Sequence, residues 1–248
     1  MEPNNSRLAI VTGASRGLGL VITRALVEQG YTVVMNARHR EPLQEAARSI
    51  ATAHGHAGGG DVVPVDGDIT DAGARERLIA AARDRGGLDI LVNNASELGG
   101  VGPLMDFDVP RFGRLFPVNV GAPMVLTQLA VPLLAARRGL IVNITSDAAT
   151  AAYPGWGPYG ATKAALELLT RTLASELRDV GVSAVIVDPG DMRTAMHQEA
   201  FPGEDISDRP LPDVTLPFWR WLLEQTPAEI SGQRFAAQAK EATWLQPA

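Results

Sequence analysis

Six short apolar runs, each followed by a longer stretch with helical spacing, constrain this chain more than any other feature. The runs are Leu8–Thr12, Tyr31–Asn36, Val62–Val65, Leu88–Val92, Leu140–Ile144 and Val182–Val187. None alternates strictly between apolar and polar residues, so each reads as a strand covered on both faces, as in a parallel sheet. The stretches between them predict helices over Gly17–Gln29, Glu41–His54, Asp71–Asp84, a long region ending near Arg138, and Gly157–Val180. Asp71 suits the start of its helix and Gly30 the end of the first. Strand–helix alternation of this kind predicts a doubly wound α/β sheet.

Length and composition fit that reading. The 248 residues are 46% hydrophobic and 20% charged, within reach of a single α/β domain spanning 1–248. No internal repeat is visible, and Ala57-Gly58-Gly59-Gly60 reads as a loop because the alternation resumes beyond it. Net charge is −6 and no basic block appears, which argues against a nucleic-acid partner. There is no cysteine, so disulfide and thiolate chemistry are excluded. Residues Met1–Ser6 lack the pattern of an export signal, making the cytoplasm the expected compartment. The apolar run Val118–Ala136 carries Asn119, Pro123, Thr127, Gln128 and Pro132, and reads as a buried helix rather than a membrane span. After Pro189 the rhythm breaks, and residues 191–226 read as a covering segment over a substrate site.

Two groups of residues carry chemistry. The first strand runs into Gly13-Ala-Ser15-Arg16-Gly17-Leu18-Gly19 and then into a helix. Glycines let a backbone approach a pyrophosphate, and a helix N-terminus offers free N–H groups and partial positive charge. The spacing is Gly-x-x-x-Gly-x-Gly, a variant of the dinucleotide fingerprint. At the end of the second strand a carboxylate would bind the adenosine ribose of NAD. Here the chain reads Asn36-Ala37-Arg38-His39-Arg40, and Arg38 with Arg16 suits a 2′-phosphate, predicting NADP(H) over NAD(H).

The second group is Ser146 with Tyr159 and Lys163. Tyr159 and Lys163 lie four residues apart and share a helix face. Such a pair is common in helices and means little alone. A phenol with a pKa of about 10 is a poor acid or base at neutral pH. A unit charge about 4 Å away at an effective dielectric of about 20 supplies about 4 kcal/mol, enough to lower that value by roughly 3 units. Lys163 is therefore expected to activate Tyr159 as a general acid/base.

These motifs, in this order, resemble the short-chain dehydrogenase/reductase family from Leu8 to about Ala237. The resemblance rests on Thr12-Gly13, Gly17-Leu18-Gly19, Asp68-Ile69, Asn93-Asn94-Ala95, Asn119, Ser146, Tyr159 with Lys163, and Pro189-Gly190 with Thr194. It implies a Rossmann-type sheet of about seven parallel strands and hydride transfer between NADP(H) and a carbonyl or secondary alcohol. It implies that Asp68, with Ile69 beside it, meets the adenine and that Asn93 and Ala95 line the adenosine pocket. Asn94 would steady the strand end. Asn119 would interrupt a long helix and hold a relay water. Ser146 would polarise the carbonyl, Tyr159 would pass the proton, and Lys163 would bind the nicotinamide ribose. Pro189, Gly190 and Thr194 would hold the nicotinamide. An epimerase or dehydratase on the same scaffold, or a non-catalytic NADP sensor, are the rival readings.

The family also implies a homodimer or homotetramer, packed through the helices near 107–136 and 157–180. Trp244 and Leu245, apolar residues in an otherwise polar tail, are expected to dock on a neighbour. Two positions depart from the pattern. Ser96 stands where the family usually has glycine, and the last strand, expected over Gly232–Ala236, lacks the usual acidic-glycine ending. The substrate pocket is expected to draw on Leu98, Val101, Leu104, Met105, Tyr153, Trp156, Met192, Met196 and Phe201. The acids Glu97, Asp147 and Asp191 would favour a hydroxylated or cationic substrate.

Overall fold

A computed structural model describes residues 7–54 and 60–244. Ala57, Gly58 and Gly59 of the expected loop, and Leu245, lie outside the described residues.

The strands are β1 (Arg7–Thr12), β2 (Tyr31–Ala37), β3 (Val62–Asp66), β4 (Ile90–Asn93), β5 (Leu140–Ile144), β6 (Ser183–Asp188) and β7 (Arg234–Ala236). The helices are α1 (Gly17–Glu28), α2 (Arg40–His54), α3 (Ala72–Arg83), α4 (Val109–Phe116), α5 (Ala122–Arg137), α6 (Gly157–Glu176), α7 (Ala195–Ala200), α8 (Leu216–Glu224) and α9 (Pro227–Ile230). All seven strands pair in parallel, in the order β3-β2-β1-β4-β5-β6-β7.

Both faces of the sheet are covered, which is why the strands read as continuous apolar runs. Leu8 and Ile10 pack with Leu78 of α3, Leu126 of α5 and Leu173 of α6. Ala9 and Val11 point the other way, toward Ile22 of α1, Leu43 of α2 and Phe218 of α8. Fully burying one such side chain stabilises the fold by about 1.5–3 kcal/mol.

The apolar run after β4 forms α4, a π-helical turn over Pro117–Gly121, and α5. Its 29 residues, Val109–Arg137, are long and apolar enough to cross a bilayer by composition alone. In the fold, Leu126, Ala130 and Leu134 of α5 are buried against the sheet, while Val125 and Leu129 face outward.

Two expectations change here. Trp244 is not a docking residue on the surface. It is 5% exposed, packs against Trp221 in a tilted pair at 5.1 Å and edge-to-face against Phe218 at 5.3 Å, and donates its indole N–H to the Ala236 carbonyl oxygen. The stretch 191–226 divides in two. Residues of α7 reach the site, but α8 belongs to the core, with Phe218, Trp219 and Leu222 buried against α1.

Candidate active site

The strand order reverses between β1 and β4, and a crevice opens there at the carboxyl ends of the strands. A cavity of about 720 Å³ lies along it, lined by the glycine turn, Arg38, Asp68, Ala95, Tyr159 and Lys163 among others.

The glycine turn is built for close backbone contact. Gly13 has φ 67°, and a Cβ on Gly19 would stand 2.3 Å from the Gly13 carbonyl oxygen. Arg16 precedes α1 in extended conformation and its side chain makes no capping bond, leaving the first N–H groups of α1 directed toward the crevice. Ser15, Leu18, Ile69 and Thr194 also line this cavity. The donor set and cradle fit the pyrophosphate of a dinucleotide.

Thr12 and Asn94 tie the two strand ends together. The Thr12 hydroxyl accepts from the Asn94 and Ala95 N–H groups at 2.9 and 3.0 Å, and Asn94 Nδ2 donates to the Thr12 carbonyl oxygen at 2.8 Å. Asn94, unlike Asn93, lines the crevice. Asn93 is 4% exposed and donates instead to Asn143 Oδ1 at 2.8 Å, between strands β4 and β5. Asn94 therefore steadies the strand end as expected and also takes the crevice-lining place expected of Asn93, because the residue after the strand end, not the last one within it, turns toward the crevice.

Asp68 accepts from the Thr70 N–H and hydroxyl at 2.8 and 2.7 Å. Burial pushes its pKa up, but those bonds outweigh it and hold it below the ordinary carboxylate value. Arg38 reaches across the crevice to Glu97, with Nη1 2.6 Å from Oε1.

A second cavity, of about 290 Å³, adjoins the first. Tyr159, Thr145, Pro189, Met192, Thr194 and Met196 wall both. Ser146 and Gly190 line only the smaller one. Leu98, Tyr153, Trp156, Met192, Met196 and Phe201 line it as expected. Val101, Leu104 and Met105 do not, and Met105 is 93% exposed. Asp147 and Asp191 reach this cavity, whereas Glu97 belongs to the nucleotide crevice. Asp147 accepts from Tyr153 Oη at 2.7 Å and from Ser146 Oγ at 3.0 Å.

Tyr159 and Lys163 come from the first two turns of α6, and both are buried, at 7% and 2% exposure. Lys163 Nζ stands 5.5 Å from the centre of the Tyr159 ring and donates to the Ile144 carbonyl oxygen at 2.8 Å. Burial draws the Lys163 pKa down to about 8, against the raising effect of Asp188. The expected acidification of Tyr159 is not found; the shift runs the other way. Burial pushes its pKa above the ordinary value, Ser96 offsets part of that through a hydrogen bond, and Asp188 and Asp147 push it up further. Desolvation of the phenolate is the largest of these influences.

Asn119 sits in the π-helical turn, with a nearly inaccessible side chain. Its Oδ1 accepts from Glu97 N–H at 2.8 Å and from Ser96 Oγ at 3.1 Å; its Nδ2 donates to the Glu97 carbonyl and to Thr162 Oγ1. Asn119 lines neither of the two cavities, yet it fixes the segment after β4 against α6.

Sequence reasoning missed a buried ionic group beneath the site. Arg234 of β7 donates to Glu167 of α6 at 2.9 Å and to Asp188 of β6 at 3.0 Å. Thr145 also donates to Glu167, at 2.8 Å. Burial raises the Asp188 pKa, opposed by the Gly190 N–H and Arg234. Glu167 lies four residues beyond Lys163 on the same helix face, the only local signal available.

Residues 7–205 match the family model described as short chain dehydrogenase. Over 199 residues the chain is 36% identical to the Bos taurus protein named Dehydrogenase/reductase SDR family member 4, covering 78% of this chain and 68% of that one. Over 227 residues it is 35% identical to Gluconate 5-dehydrogenase of Gluconobacter oxydans (strain 621H), covering 91% and 82%. An alcohol dehydrogenase from the archaeon Thermococcus sibiricus, solved in complex with 5-hydroxy-NADP, superposes with TM-score 0.82 at 28% identity, over 96% of this chain and all of that one. The parallel sheet, the glycine-lined crevice at its switch point and the match over most of the chain agree: this chain belongs to the short-chain dehydrogenase/reductase family of oxidoreductases, which bind nicotinamide cofactors and act on small molecules.

Proposed function

We propose that this protein interconverts a carbonyl compound and its secondary alcohol with NADP(H). The observation that carries the reading is that Tyr159 walls both the dinucleotide crevice and the smaller cavity beside it. A group that transfers a proton at a carbonyl must face the substrate and the hydride donor together.

The nicotinamide supplies or accepts the hydride when bound. The chain's own residues handle the proton and the charge. In reduction, the buried phenol of Tyr159 keeps its proton at neutral pH and is the acid that meets the developing alkoxide. Ser146 opens onto the same cavity and offers a hydroxyl to the carbonyl oxygen. Lys163 lines the nucleotide crevice and is anchored through the Ile144 carbonyl, suited to a ribose hydroxyl. Pro189 and Thr194 wall the junction between the two cavities, where the nicotinamide would lie.

Arg38 supports NADP over NAD, since no carboxylate ends β2 and its guanidinium stands at the crevice. The smaller cavity supports a compact substrate with an apolar or ring face, given Leu98, Trp156 and Phe201, and with hydroxyl or cationic groups near Asp147 and Asp191. Exposed Val125, Leu129 and Leu168 on α5 and α6 support a homodimer or homotetramer, for light scattering to test.

The deciding experiment is a thermal-shift comparison of NADP and NAD, followed by NADPH oxidation with a panel of ketones and NADP reduction with a panel of alcohols. NADPH consumption dependent on a carbonyl compound supports the reading. Tight binding with no turnover on either panel favours a sensor, and substrate conversion without net nucleotide change favours an epimerase or dehydratase.

A further inference from the structure

Arg234 lines neither cavity, yet its guanidinium holds three of the segments that build the site. Its Nη2 donates to the Ser146 carbonyl oxygen at 3.3 Å and to Asp188 Oδ2 at 3.0 Å. Its Nε donates to Glu167 Oε1 at 2.9 Å. Nη2 carries two hydrogens and Nε one, so each acceptor has a donor of its own.

These contacts reach the site in one further step. Asp188 Oδ1 accepts from the Gly190 N–H at 3.0 Å, which fixes the turn through Pro189. Glu167 Oε1 also accepts from Thr145 Oγ1 at 2.8 Å. Three consecutive residues at the end of β5 are each held by a side chain: the Ile144 carbonyl by Lys163, the Thr145 hydroxyl by Glu167, and the Ser146 carbonyl by Arg234. Thr145, Ser146, Asp188 and Gly190 all line the smaller cavity, two from the end of β5 and two from the end of β6.

Stability alone does not call for this arrangement, because buried ion groups add little over well-packed apolar side chains. What an arginine adds is direction. Its fork is planar and rigid, whereas a lysine is a point charge on a flexible stem. We propose that Arg234 is a positioning residue, its guanidinium locking Ser146 and the Asp188–Gly190 turn at one spacing across the smaller cavity. The inference rests on the reading of that cavity as the place of carbonyl reduction. Ser146 must meet the carbonyl oxygen while Pro189 and Gly190 border the nicotinamide, and an offset of about 1 Å between such groups costs roughly 10²-fold in rate.

The test compares the full-length wild type with Arg234→Lys, which keeps the charge and loses the fork. NADPH titration counts the folded sites, and turnover is expressed per site. We expect kcat to fall about 10- to 100-fold while the NADPH Kd stays within about threefold. A residue that only stabilises the fold would lower the denaturation midpoint and leave kcat per site intact, so a fall below about threefold overturns the proposal. Crystal structures of both proteins with NADP give a second readout that needs no turnover. The main chain at Ser146 or Gly190 should move by about 0.5 Å or more in the variant, and superimposable segments overturn the proposal. If the wild type turns over no carbonyl compound, the proposed function fails and these structures alone decide the role of Arg234. Arg234→Gln, with one amide donor group and no charge, takes the place of Arg234→Lys if that variant does not fold. Failure of both to fold makes Arg234 a folding residue and overturns the proposal.

Discussion

Lys163 donates to the Ile144 carbonyl oxygen at 2.8 Å, so the ammonium one helical turn from Tyr159 is held by the end of β5 rather than by a carboxylate. Its pKa, drawn down to about 8 by burial, sets a pH dependence. Below about pH 8 the lysine is charged in both folded and unfolded chains, and the burial cost is present in full. From pH 8 toward the ordinary value of 10.5 the unfolded chain holds a proton that the folded chain lacks, so stability rises with pH. Without nucleotide, Lys163→Met should be more stable than wild type at pH 7, and that advantage should shrink by about 1 kcal/mol per pH unit above pH 8. Denaturant unfolding at pH 7 to 10 measures this. A wild-type-minus-variant difference that is flat across the window would return Lys163 to an ordinary pKa.

Tyr159→Phe keeps the ring in its packing against Trp156, 6.0 Å away, and removes only the hydroxyl. Turnover should fall at least about a hundredfold, since general acid catalysis is worth roughly 10² to 10⁴, while NADPH binding stays intact. Steady-state rates on a carbonyl found active in the panel, with fluorescence titration of NADPH, decide it. Wild-type turnover in the variant would remove the phenol from the reaction.

The ion pair between Arg38 and Glu97 competes with any phosphate that Arg38 could bind. Arg38→Ala should weaken NADPH binding about 10- to 100-fold and leave NADH nearly unchanged, the range for losing a hydrogen bond to a charged group. Glu97→Gln should tighten NADPH several-fold by freeing the guanidinium. Equal effects on the two nucleotides would mean that Arg38 does not read the 2′-phosphate.

Asn119→Ala removes four hydrogen bonds that join the segment after β4 to α6. It strands the partly buried amide and carbonyl of the Glu97 backbone, which should cost about 1–3 kcal/mol in denaturant unfolding. A loss below about 1 kcal/mol would show that water takes over those partners.

Trp244→Ala leaves a hole beside Phe218 and Trp221 and should destabilise the protein by about 3–5 kcal/mol. Light scattering should give the same mass as for wild type. A fall in mass at unchanged stability would restore the role at a subunit contact.

The sequence alone determined whatever depends on spacing within one element. Apolar runs marked the strands to within a few residues, and the i, i+4 relation put Tyr159 and Lys163 on one face of α6. The glycine turn was readable because close backbone approach admits no other residue, as Gly19 shows against the Gly13 carbonyl. Only tertiary structure decided what crosses between elements. It turned Asn94 rather than Asn93 toward the crevice, folded Trp244 back onto α8, joined Arg234 to Glu167 and Asp188, and brought Ser96 against Asn119. It also reversed the expected direction of the Tyr159 pKa. A charge one turn away can be read from spacing, but desolvation depends on every atom packed around the group, and those atoms come from strands and loops far along the chain.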